Sequence, residues 1–182
     1  NADGVSGDGC GVLVHKPRIW LSALAAESKL SVGERFAAGL VFLDPAGDET
    51  ACATLDSFVR AEGLRVAGWR EVAVNPDACG PLAAAARPRV RQIFVEAEGL
   101  DDDAFERALF RARRRAEHAL ADDPHFYVVT LSAQVIGYKA MAAPGRLREV
   151  YPDLVHPALV SDAVVFHQRF STNTTPQWRL AQ

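Results

Sequence analysis

The sequence predicts an α+β layered domain, and three observations carry that reading. Short apolar runs bounded by Gly, Pro, Asn and Asp read as strands, a strand, a helix and a strand succeed one another over residues 36–67, and residues 100–120 hold one long amphipathic helix. At 182 residues the chain fits one domain, long enough to bury a core without metal or disulfide staples.

The elements follow in order. Gly11-Val12-Leu13-Val14 reads as a short buried strand closed by Lys16-Pro17. From Pro17 to Lys29, Trp20, Leu21, Leu24 and Ala25 recur at helical spacing and predict a short amphipathic helix. Phe36 to Leu43 is a strand, turned by Asp44-Pro45-Ala46-Gly47. Asp48 or Thr50 is placed to cap the next helix, in which Cys52, Leu55, Phe58, Val59 and Glu62 share helical spacing, and Gly63 suits its left-handed stop. Leu64 to Ala67 resumes as a strand. Asn75 to Ala86 is a loop with a short alanine-rich helix, and Val90 to Val95 is again a strand. In the long helix Phe105, Leu109, Ala112, Ala116 and Leu120 form one apolar stripe. Asp101, Asp102 and Asp103 sit at its positive end and Arg111, Arg113, Arg114 and Arg115 in its second half, both favourable to the helix dipole. Phe126 to Leu131 and Gln134 to Lys139 flank Ser132-Ala133, a gap that reads as a hairpin. Pro144 to Tyr151 is a helical turn, Asp153 to Pro157 a loop, and Ala163 to Arg169 the final strand.

Composition excludes several classes. A formal charge of −3, from 20 basic and 23 acidic residues, gives no global pull toward nucleic acid or anionic membrane. The arginines of the long helix have no interleaved aromatic set for stacking bases, so they read as a solvated face. Three cysteines without C-x-x-C spacing fit neither a disulfide framework nor a zinc site, and a cytoplasmic location is the expectation. No apolar run approaches the roughly 20 residues a bilayer span needs. His15, His118, His125 and His156 are scattered without a carboxylate or cysteine at ligand spacing, so no metal is expected.

One segment concentrates binding chemistry. Val164 to Gln168 leads an apolar strand into Arg169-Phe170-Ser171-Thr172-Asn173-Thr174. A guanidinium offers paired donors matched to a carboxylate, and the hydroxyls and amide add further hydrogen bonds. On spacing alone, a strand ending in a polar turn with a surface arginine reads equally from these residues.

Resemblance separates the two. His167-Gln168-Arg169-Phe170-Ser171-Thr172-Asn173-Thr174, with Pro176, Trp178, Ala181 and Gln182 after it, resembles the H-x-R-F-S-T-N-T segment of the glutamine amidotransferase domain of glutamate synthase large subunits. Gly7-Asp8-Gly9-Cys10-Gly11 is similar to the family's G-D-G-A-G strand start, and Gly68-Trp69-Arg70-Glu71-Val72-Ala73-Val74-Asn75 to its G-W-R-x-V-P-V-N block. Pro88 to Val95, Leu131 to Lys139 and Tyr151-Pro152-Asp153-Leu154 match further blocks in the family's order. The resemblance implies an N-terminal-nucleophile-type αββα sandwich, two antiparallel sheets flanked by helices. It also implies that residues 1–182 form a partial domain of the type 2 amidotransferases, an internal piece of a longer polypeptide.

The same resemblance assigns roles. Arg169 holds the α-carboxylate of glutamine, Thr172 contacts the substrate, and Phe170 and Asn173 line the pocket. In the family a cysteine at the mature N-terminus attacks the glutamine carboxamide. Cys10 falls where the family has a small strand residue, and Cys52 and Cys79 lie on short helical stretches without a basic neighbour, so all three read as core. His167 reads as a packed or hydrogen-bonded strand residue, and Gln168 stands where the family often has serine or threonine. The oxyanion donors of the family's H-N-G-E segment come after the point where this sequence stops. No catalytic residue is therefore expected within residues 1–182, nor activity from this stretch alone. The implied parent enzyme makes glutamate from 2-oxoglutarate, with FMN and an iron-sulfur cluster in later domains and none here. Its implied partners are glutamine, other domains of the same polypeptide and a small reductase subunit. The rival reading is a non-catalytic amidotransferase-like module that binds an amino acid or a partner subunit.

Overall fold

The computed structural model describes residues 6–168 and 176–181. Among the described residues, seven strands form two antiparallel sheets. They are β1 (Cys10–His15), β2 (Phe36–Leu43), β3 (Arg65–Glu71), β4 (Arg89–Glu96), β5 (Tyr127–Ser132), β6 (Val135–Ala140) and β7 (Val164–Gln168). The four-stranded sheet has the order β3-β4-β2-β5 and the three-stranded sheet β6-β1-β7. Five α-helices accompany them: α1 (Arg18–Glu27), α2 (Glu49–Ala61), α3 (Pro81–Ala85), α4 (Asp102–Ala119) and α5 (Leu147–Val150).

The strand β2 organises the molecule because every one of its residues is buried. Phe36, Ala38, Leu40 and Phe42 face an inner core shared with Cys10, Val14, Ile136 and Tyr138 of the three-stranded sheet. Ala37, Val41 and Leu43 point the other way, onto Leu55 and Val59 of α2 and Phe105, Leu109 and Ala112 of α4. Period-two alternation thus makes one strand the wall between two cores. The result is an α+β sandwich of stacked antiparallel sheets with helices packed against it.

Most of the expected elements form, with ends moved by a residue or two. The apolar stripe of α4 is buried through Ala116, and Leu120 packs partly against it. Asp101 caps that helix, accepting from the Ala104 N–H at 2.7 Å. Gly63, at φ 77°, follows α2 as its left-handed stop. The arginines on α4 are ion-paired at the surface, Arg111 and Arg115 to Glu62, Arg113 and Arg114 to Glu117. None of the helices among the described residues is long and apolar enough to cross a membrane.

Four expectations are corrected. The runs around Ser132-Ala133 are not a hairpin: β5 pairs with β2 and β6 pairs with β1, so the chain steps from one sheet to the other. A two-residue hairpin needs positive φ, and neither Ser132 nor Ala133 has it. Instead the Ser132 hydroxyl accepts from the Gln134 and Val135 N–H groups, and the Glu106 carboxylate accepts from the Ala133 N–H and the Ser132 hydroxyl. Asp48 precedes α2 but makes no side-chain cap, because its carboxylate is drawn to Arg89 and Arg91 at 3.1 and 3.0 Å. The strand expected over 64–67 runs on to Glu71 through a register shift between Val66 and Gly68. The loop expected over 153–157 opens as a 3-10 turn, Pro152–Val155.

Candidate functional site

Both β6 and β7 run antiparallel to β1, so the last residues of β6 and β7 lie beside the first of β1. Cys10 stands opposite Ala140 on one side and Gln168 on the other. Three chain segments therefore meet at one end of this sheet. Arg169, Phe170, Thr172 and Asn173 follow Gln168 in the sequence and lie outside the described residues.

The chain is anchored where it returns. Trp178 is 4 % exposed, packs edge-on against Phe42 at 5.9 Å and donates its indole N–H to the Ala83 carbonyl at 2.9 Å. The Lys139 ammonium donates to the Arg179 carbonyl at 2.8 Å. Ala181 lies so close to Gly9 that a Cβ there would meet its Cα at 2.7 Å. Gly9 also adopts φ 147°, a conformation side chains rarely take. Gly7 passes equally close to the Ala142 carbonyl, 2.2 Å from where a Cβ would stand. The Gly7-Asp8-Gly9 start of β1 is thus threaded between the end of β6 and the returning chain, which accounts physically for both glycines.

A cleft of about 650 Å³ opens along the same sheet. Val12, Val14, Val164 and Phe166 form its sheet side, and Leu147, Leu154 and Leu159 its opposite wall. Arg148, His167 and the Cys10 thiol are the ionisable groups that line it. Arg148 lies outside every motif of the sequence, and only its tertiary position marks it. His167 is exposed, not packed, because β7 is the sheet's edge among the described residues.

The cysteines have no thiolate character. Burial pushes the Cys10 thiol up to about 11, and Cys79 is raised for the same reason. Cys52 is also pushed up to about 11 by burial, although Arg91 approaches its sulfur to 3.6 Å. The expectation that Cys52 and Cys79 lack basic neighbours is corrected: Arg91 faces the first, and Arg87 and Arg146 act on the second, but desolvation outweighs them. At neutral pH all three are protonated and poor nucleophiles. His15 and His156 each meet one carboxylate, Asp162 at 2.7 Å and Glu27 at 3.0 Å.

The two sheets are tied together by a buried cluster. Arg70 of β3 donates to both oxygens of Asp153, to the Gln92 side chain at 2.5 Å and to the Tyr138 hydroxyl at 3.3 Å. Tyr138, on β6, donates in turn to Asp153 at 2.8 Å. The cluster fixes the turn that carries Leu154, and so one wall of the cleft.

The class II glutamine amidotransferase family matches residues 1–182. The chain belongs to that family. Among similar proteins, the ferredoxin-dependent glutamate synthase 2 of Synechocystis is 42 % identical over 187 residues, covering 100 % of this chain and 12 % of the relative. The large chain of the NADPH glutamate synthase of Azospirillum brasilense is 38 % identical, again over 100 % of this chain and 12 % of its own length. The corresponding chain of Bacillus subtilis is 36 % identical over 99 % of this chain and 12 % of its length. The chain thus spans about 12 % of the length of these curated relatives.

Proposed function

We propose that residues 1–182 are the glutamine-gripping part of an amidotransferase domain in a glutamate synthase, with Arg169 holding the α-carboxylate of glutamine and Thr172, Phe170 and Asn173 completing the pocket. The observation that carries this is the family match over the whole chain, joined to the convergence of β1, β6 and β7 where Arg169 follows. None of the three cysteines present supplies the attacking thiolate, since all are buried, protonated core residues. The released ammonia passes to a synthase site that makes glutamate from 2-oxoglutarate, and the domains holding that site and a small reductase subunit are the partners.

Iron-sulfur clusters are held by cysteine thiolates gathered around one centre. This chain has three cysteines, on separate elements, and they do not fit such a cluster. FMN and the cluster belong to other domains of the parent enzyme, and no step here runs through them.

Replacing Arg169 by lysine keeps the charge and loses the fork. In the intact enzyme the KM for glutamine should rise about tenfold or more, equivalent to about 1.4 kcal/mol. Steady-state glutaminase assays read this directly, and an unchanged KM removes Arg169 from the site. The codons upstream of Asn1 discriminate between this reading and the non-catalytic rival: a Cys-Gly start in frame supports the enzyme, and its lack in the genomic frame supports the module.

A further inference from the structure

Among the described residues β7 ends the three-stranded sheet, and all five of its residues are exposed. Val164, Val165 and Phe166 stand 54, 65 and 80 % open to solvent, consecutive apolar side chains that point to both faces of the sheet. An edge strand is ordinarily guarded against pairing by a lysine, a proline or an inward-pointing carboxylate. Val164 to Gln168 hold none of these. On the side away from β1, the backbone donors and acceptors of β7 are therefore open to another strand.

Charge narrows what can lie there. Val164 and Phe166 line the cleft of about 650 Å³, with Leu147, Leu154 and Leu159 across from them, and no aspartate or glutamate shares that lining. Arg148 also lines it and is itself exposed. Among the described residues no carboxylate is paired with Arg148, because the adjacent Glu149 is held by Arg146 at 3.3 Å. The cleft thus offers an apolar wall and one guanidinium with its donors free, a surface complementary to an apolar segment that carries an acidic residue.

We propose that β7 is completed by a strand from a part of the parent polypeptide outside residues 1–182, which pairs along its free side, sends apolar side chains into the cleft and sets a carboxylate against Arg148. This rests on the reading of the chain as part of a glutamate synthase, whose relatives it spans for about 12 % of their length. A small molecule in the cleft would cover Val164 and Phe166 and leave Val165, on the other face, in water. A strand beside β7 covers all three, since its side chains alternate between the same two faces. A second copy pairing β7 with β7 would present Val164 to Gln168 again, with no carboxylate for Arg148.

The test uses the intact enzyme with a photo-reactive benzophenone side chain in place of Phe166. Irradiation and peptide mass spectrometry should join position 166 to one segment of the same polypeptide outside residues 1–182, with an aspartate or glutamate close to the attachment point. Arg148→Glu should lower the cross-link yield about fivefold or more, and Arg148→Lys should keep most of it. Without the label, amide exchange over residues 164–168 should be slow in the intact enzyme and quicken in Arg148→Glu. Cross-links confined to residues 1–182 or to a second, isotopically marked copy overturn the proposal, as does fast exchange at alternate amides of β7. Equal yields from the enzyme with Arg148, Arg148→Glu and Arg148→Lys remove the carboxylate partner and overturn it too. If the cell makes no longer polypeptide containing residues 1–182, the glutamate synthase reading itself falls. A longer polypeptide whose cross-links go elsewhere leaves that reading standing and sinks only the added strand.

Discussion

Arg70 is buried with both oxygens of the Asp153 carboxylate against its guanidinium, and neighbouring Gln92 and Tyr138 each accept a further hydrogen bond from it. Arg70→Met would leave the Asp153 carboxylate buried without a cation. That loss should cost about 3–5 kcal/mol, read as a lowered denaturation midpoint. Replacing Arg70 and Asp153 together by apolar residues should cost much less, because no charge is then stranded. The sequence marks both residues through the G-W-R and Y-P-D-L blocks but not that they touch. They stand far apart in the chain, and no local periodicity records a contact of that kind. Arg148 and Lys139 show the same limit: one lies outside every motif and the other inside a motif that gives it no role.

The helices and β2 were legible because burial on one side imprints a period on the residues, and that period needs no partner to be read. Which sheet a strand joins leaves no such imprint. The step from β5 to β6 looks like a hairpin in sequence, and its true course depends on Glu106, a residue of a different helix. Glu106→Ala removes the acceptor of the Ala133 N–H. It should destabilise the chain by about 1–3 kcal/mol and speed hydrogen exchange at Ala133. Slow exchange retained at Ala133 would show that water serves the amide equally well. The cap of α2 was misread for a similar reason: two arginines on β4 compete for Asp48, and their proximity is a product of the fold.

Across the whole molecule, the shifted groups set a particular response to pH. Lys139 sheds its proton near pH 8 when folded and near its usual 10.5 when unfolded, so stability rises with pH above about 8. Cys10 and Cys52 work in the opposite sense, since the unfolded thiols ionise near 9.0 while the folded ones hold their protons to about 11. Tyr138 and Tyr151, buried and raised well above 10.0, add to that fall. Stability should therefore peak near pH 9, and in Lys139→Met the rise below the peak should vanish. Chemical denaturation at a series of pH values reads both. At this scale the α+β layered class was legible from the succession of strands and helices, and the two stacked sheets only through the motif blocks that mark the family. The anchoring of residues 176–181 was not, because Gly9, Phe42, Ala83 and Lys139 converge on it from four separate stretches of chain.

The three-stranded sheet also dictates an order of assembly. Its central strand β1 leaves the ribosome well before either neighbour, because β6 and β7 both come from the last third of residues 1–182. Closing such long loops is entropically expensive and waits on the rest of the fold. The four-stranded sheet has its helices α2 and α4 between its own strands and can consolidate first. The three-stranded sheet is thus the later of the two to be built, and during synthesis β1 must be kept from pairing with anything else.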